Sequence, residues 1–176
     1  MIDYEFTLKF ALPDPAMDPD RCVAALAKAG CDDALVGIGQ PGRIALDFAR
    51  SARSAFKAVS SALRDVRKAI PGAVLVEATP DFVGLTDVAD IAGFTRQNMR
   101  KLMLANPASF PLPVHEGSPA MWHLASVLAW LRDEQGRSVD SIQLEVAQAN
   151  MALNIAREAN GLPGVVLPKA FAPLFA

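Results

Sequence analysis

The first twelve residues constrain the fold most. Ile2, Tyr4, Phe6, Leu8, Phe10 and Leu12 alternate with Asp3, Glu5, Thr7 and Lys9, and a period of two sends successive side chains to opposite faces of a strand. One face is apolar, so the strand needs a sheet around it and a second layer packed on one side. Pro13 and Pro15 end the run.

The next stretch supplies that layer. Asp18 before Pro19 reads as an N-cap with proline at the first helical position, and CVAALAKA continues as a helix stopped by Gly30. Ala34–Ile38 and Arg43–Phe48 are apolar runs joined by Gly39-Gln40-Pro41-Gly42, a hairpin signal. Ala52, Phe56, Val59, Leu63, Val66 and Ile70 recur at helical spacing as an inward stripe, Pro71-Gly72 breaks that helix, and Ala73–Ala78 is a last strand. The order β-α-β-β-α-β over residues 1–80 resembles a ferredoxin-like fold, with a four-stranded antiparallel sheet and both helices on one face. That fold hosts ligand sensors, interaction modules and enzymes alike, so it does not fix a function.

The second helix carries Arg50, Arg53, Lys57, Arg64, Arg67 and Lys68 on its outward side against the single acid Asp65. Two readings stand: a solvated face paired with acids from elsewhere, or an auxiliary phosphate contact. Gly37, Gly39 and Gly42 lack the GK[ST] ending and the following helix of a phosphate loop, and belong to the hairpin. Asp32 and Asp33 are turn caps or, more weakly, a pair of carboxylates.

Leu85–Leu104 reads as two short helices around Gly93. Thr86 is expected to cap the first, Asp87–Ala92, and Thr95 the second. Met99 and Leu102 are its buried side, which leaves Arg96, Gln97, Arg100 and Lys101 outward; Asn98 lies nearer the buried side. Phe110-Pro111-Leu112-Pro113-Val114 and Ala120-Met121-Trp122 flank the turn His115–Pro119, and a helix over Leu124–Glu134 buries Val127, Trp130 and Leu131.

This order of helix-turn-helix, FPxPV, glycine-containing turn, Trp and V-x-x-W-L resembles the winged helix-turn-helix of MerR-like, AlpA and excisionase-type regulators over residues 85–135, about a third of the chain. The chain departs from AlpA proteins by its N-terminal domain and C-terminal extension. It departs from MerR activators because their effector domain follows the DNA-binding unit. The resemblance implies double-stranded DNA as partner. Arg96 and Arg100 suit guanine and Gln97 suits adenine in the major groove. Asn98 lies beside these readers. Thr86, Thr95 and Lys101 suit phosphates, and His115 and Ser118 sit at the wing tip. His123 is read as a packing residue bonded to a neighbouring carbonyl.

Val139, Ile142, Val146, Ala149, Leu153, Ala156 and Asn160 fall at three-four spacing, and Gly161 is expected to end the helix. The seam fits a homodimer interface and fits docking within the chain equally in pattern. The tail GLPGVVLPKAFAPLFA is apolar and is expected to lie in a groove.

The fold class expected is therefore α+β: residues 1–80 ferredoxin-like, 81–136 a winged helix-turn-helix, 137–176 a helix and apolar tail. A net charge of −2 gives no global pull on phosphate, so local charge must act. With no apolar run of membrane length and no signal-peptide pattern, the expected location is cytoplasmic. Cys22 and Cys31 show no ligand spacing and read as buried small hydrophobes; no cofactor, metal or enzymatic role is expected. The function expected is a sequence-specific transcription regulator. The alternatives are a protein interaction adaptor, and a regulator sensing a small-molecule effector or protein partner through residues 1–80.

Overall fold

The computed structural model describes residues 1–161. Alternation at the N-terminus becomes β1 (Ile2–Ala11), with Tyr4, Phe6, Leu8 and Phe10 buried. The helix α1 (Pro19–Ala29) opens on Asp18, whose carboxylate accepts the Asp20 N–H at 3.0 Å, and ends where Gly30 takes a φ of 98°. The hairpin is β2 (Ala34–Gly37) and β3 (Arg43–Ala52), followed by α2 (Ala55–Ala69) and β4 (Val74–Thr79). The four strands lie in the order β2-β3-β1-β4, each antiparallel to its neighbour. The chain is thus α+β, with α1 and α2 covering the face that β1 makes apolar.

The inward stripe of α2 differs from the sequence expectation. Ser54 caps the helix, its Oγ accepting the Lys57 N–H at 3.3 Å, so Ala52 stays in β3. Ala55, Ala58, Val59, Ala62 and Val66 face the core, and Phe56 is 62% exposed. Alanines on the inward face let α2 approach the sheet closely, which a phenyl ring there would prevent.

Arg50 is a second correction. On β3 it is in phase with Ile44, Leu46 and Phe48, so it enters the core rather than joining the outward stripe. Its guanidinium donates to Asp33 at 2.7 and 2.9 Å, to Asp65 at 2.7 Å, to Ser61 Oγ at 3.1 Å and to the Gly30 carbonyl at 2.7 Å. Burial works against the charge, but the hydrogen bonds of Asp33 and Asp65 outweigh it and hold Arg50 protonated well above its ordinary range. Asp33 is therefore an ion-pair partner. Arg50→Lys keeps the charge, yet one ammonium cannot span four acceptors divided between α2 and the α1–β2 link; the expected loss is about 2 kcal/mol, read as a lower urea midpoint with an unchanged slope.

Cys22, on α1, and Cys31, just after its C-cap, are both buried in the sheet core. Burial chiefly pushes the Cys31 thiol up to about 11, so at pH 8 the thiol and not the reactive thiolate predominates. A disulfide-exchange reagent should leave both thiols of the native chain unlabelled at pH 8 and label both in denaturant.

The remaining elements are β5 (Phe82–Val83), α3 (Leu85–Ile91), α4 (Arg96–Ala105), β6 (Trp122–His123), α5 (Leu124–Asp133) and α6 (Ser141–Gly161). They build a second core from Val83, Val88, Ala89, Met99, Trp122 and the inward side of α5, including the expected Val127, Trp130 and Leu131.

The helix α6 joins the two cores. At 100° per residue, Val146, Ala149 and Leu153 form one strip, packed on the sheet core. Leu144, Ala147 and Met151 form a strip on the opposite side, packed on the second core. The expected dimer seam is thereby corrected to docking within the chain. Val146, Ala149 and Leu153 are covered by the sheet unit, Val139 packs on the second core, and Ile142 and Ala156 lie exposed outside both. Gly161, the last described residue, is itself helical. Glu145 reinforces the joint, accepting the Tyr4 hydroxyl and the Ala55 N–H, each at 3.0 Å. The apolar tail expected to occupy a groove lies outside the described residues.

Candidate nucleic-acid interface

The turn between α3 and α4 is built by hydrogen bonds that only a positive φ permits. Gly93 has a φ of 71°. The Phe94 N–H donates to Ala89 O at 2.7 Å and the Gly93 N–H to Asp90 O at 3.3 Å, a Schellman closure that satisfies the last carbonyls of α3. Ala89, Val88 and Met99 are fully buried where the helices meet. Phe94 is half-buried, with the Arg137 guanidinium 5.6 Å above its ring.

One cap differs from expectation. The helix α3 begins at Leu85, and the Gly84 N–H donates to the Asp87 carboxylate at 2.8 Å; Thr86 lies exposed within the first turn. The expected cap of α4 is present: Thr95 Oγ1 accepts the Asn98 N–H at 3.2 Å. Arg96, Gln97, Asn98, Arg100 and Lys101 are all exposed, so Asn98 sits farther outward than its spacing suggested. Among the described residues, none of Arg96, Arg100 and Lys101 has a carboxylate within ion-pairing distance. Leu104 is 62% exposed on the same outward side, a position to which the sequence reading assigned no role.

The segment after α4 is pinned by its aromatics. Phe110 meets Trp122 and Trp130 edge-on at 5.9 and 5.0 Å. Trp122 Nε1 donates to Pro111 O at 3.0 Å, and Trp130 Nε1 to Ser109 Oγ at 3.1 Å. Val114 and Met121 N–H groups then close a bridged turn, donating to Met121 O at 2.8 Å and His115 O at 3.0 Å. His115 and Ser118 are exposed on it. Thr86, Arg96 and Ser118 line one groove between the starts of α3 and α4 and this turn, with Met121 and Trp122 as its floor.

His123 has a different partner from the carbonyl expected. Its Nδ1 lies 2.7 Å from Asp81 Oδ1, and Asp81 is 1% exposed. Asp81 Oδ2 accepts from Asn154 Nδ2 at 2.8 Å. The same Asn154 amide donates to Ala78 O and accepts from Ala78 N, both at 2.8 Å, serving the free edge of β4 as a further strand would. Asn150 Nδ2 donates to Pro80 O at 3.2 Å. Sequence reasoning missed this joint; three-residue links between its partners are absent, and two asparagines on the line dividing the apolar strips of α6 were its only signal.

Among the described residues, no helix is long and apolar enough to cross a membrane. Comparison with known protein families, curated proteins and solved structures gives no match. The interpretation of this surface rests on its residues.

Proposed function

We propose that the chain is a sequence-specific DNA-binding regulator that reads the major groove with α4. The observation that carries the reading is the exposed, ion-unpaired cluster Arg96, Arg100 and Lys101 on a helix whose partner helix, tight turn and cap hold it rigidly. A rigid outward helix keeps the cost of ordering long side chains low on binding. Arg96 and Arg100 donate to guanine O6 and N7, Gln97 pairs with adenine, and Leu104 meets a thymine methyl. Thr95, Lys101 and the N–H groups at the start of α4 hold phosphates, while Thr86 and Ser118 face the backbone from the groove. His115 and the bridged turn serve as the wing.

The helix pair with its bridged turn supports the winged helix-turn-helix reading of residues 81–136. The strand order β2-β3-β1-β4 with two crossing helices supports the ferredoxin-like reading of residues 1–80. Val146, Ala149 and Leu153 of α6 are spent on the chain's own sheet, so the proposal does not pair two copies through that seam. Selection of bound duplexes from a random-sequence pool tests it. One enriched motif of a few base pairs is expected; a pool without enrichment, at salt low enough to retain bound DNA, rules the reading out.

A further inference from the structure

We propose that the outer side of α2 is a second nucleic-acid surface, one that holds phosphates without reading bases. Lys57, Arg64 and Lys68 fall on one line of this helix, with Arg67 beside them and Arg53 just before its cap; all five are exposed. The line covers twelve residues, eleven helical steps, about 16 Å at the rise of an α-helix. A duplex backbone carrying a charge every ~1.7 Å of axis can follow it.

The sequence left open whether acids elsewhere neutralise this face. Among the described residues, none of the five has a carboxylate within 4.0 Å. The helix's own acid, Asp65, is turned to the buried Arg50 at 2.7 Å, so it does not quench the stripe. The chain as a whole is net −2, and Asp3, Glu5 and Asp47 lie exposed on the opposite face of the sheet. Five of the chain's 17 lysines and arginines are thus gathered along one side of α2, apart from the cluster on α4, and a local concentration of this kind attracts a polyanion even on a chain of net −2. A lipid surface is the poorer partner: the apolar side of α2 is spent in the core, leaving Phe56 as its one well-exposed apolar group.

The inference goes beyond the base-reading role of α4, and the two are separable with the full-length chain. Anisotropy of a labelled random-sequence duplex, titrated from 50 to 200 mM salt, is compared for the natural chain, for Lys57→Gln/Arg64→Gln/Lys68→Gln, and for Arg96→Ala/Arg100→Ala. The glutamine variant changes exposed helix positions only, and its melting curve checks the fold. If all three cations meet phosphates, the slope of log K against log salt becomes shallower by about 2 to 3. Affinity for the random duplex then falls at least tenfold at 100 mM, while the preference for a selected site stays the same. An unchanged slope overturns the inference. Binding of phosphatidylserine vesicles through these residues, without loss of duplex affinity in the glutamine variant, also overturns it. Loss of all sequence preference in the natural chain, with the slope change retained, removes the α4 reading and leaves this one standing. Lysine reactivity gives a second readout on unmodified protein: duplex should protect Lys57 and Lys68 and leave Lys9, paired with Glu77 on the far face, unchanged.

Discussion

Asp81→Ala is expected to lower the melting temperature by about 10 °C. Asp81 is almost wholly enclosed, and its two carboxylate oxygens are the partners of His123 and Asn154, which stand on β6 and α6. Removing it leaves both groups without that partner. Breaking a buried, hydrogen-bonded charged group costs about 3 kcal/mol, and a domain of this length loses about 2–4 °C per kcal/mol. Asn154→Leu, similar in volume, should be comparably damaging because it orphans the Ala78 N–H and C=O together with Asp81 Oδ2. The pair should couple. If α6 is the cement between the sheet unit and the second core, Asp81→Ala and Asn154→Leu together should cost clearly less than their sum. A scan showing strict additivity, or a shift of 1–2 °C for either variant, would contradict the joint described.

Arg96→Ala/Arg100→Ala is expected to abolish discrimination between DNA sites while leaving the fold intact. Each bidentate arginine–guanine contact is worth about 1–3 kcal/mol. Losing two weakens a selected site between about 30-fold and about 10⁴-fold. Both side chains are exposed and make no ion pair among the described residues, so the melting temperature should move little. Random-sequence affinity should fall far less than affinity for the selected site.

Local rules carried much of this architecture. Alternation at residues 2–12, the Asp18-Pro19 start, the hairpin glycines and the Gly93 turn all act within a few residues, and each element formed near where its pattern lay. Rotation and partnership were harder. Phe56 and the alanines of α2 compete for the same inward arc, and the choice is made by how closely the sheet and α6 approach. Arg50 was legible in hindsight from its phase with Ile44, Leu46 and Phe48, but counting charges on the neighbouring helix hid it. The heptad-like seam of α6 could not distinguish a second copy from the chain's own sheet, because both bury the same strip. Asp81 and Pro80 lie about seventy residues before their partners Asn154 and Asn150, and no local periodicity links them. For the candidate interface, the exposed face of α4 followed directly from Met99 and Leu102 facing inward, whereas the exposed Leu104 did not.

The base-reading role of α4 is tested most directly by one specificity ratio. Affinity of the full-length chain for its best selected duplex is measured against a scrambled duplex of the same composition at about 150 mM salt. The account predicts a ratio of about 10³ or more, collapsing toward one in Arg96→Ala/Arg100→Ala; equal affinities for the two duplexes in the natural chain would contradict it.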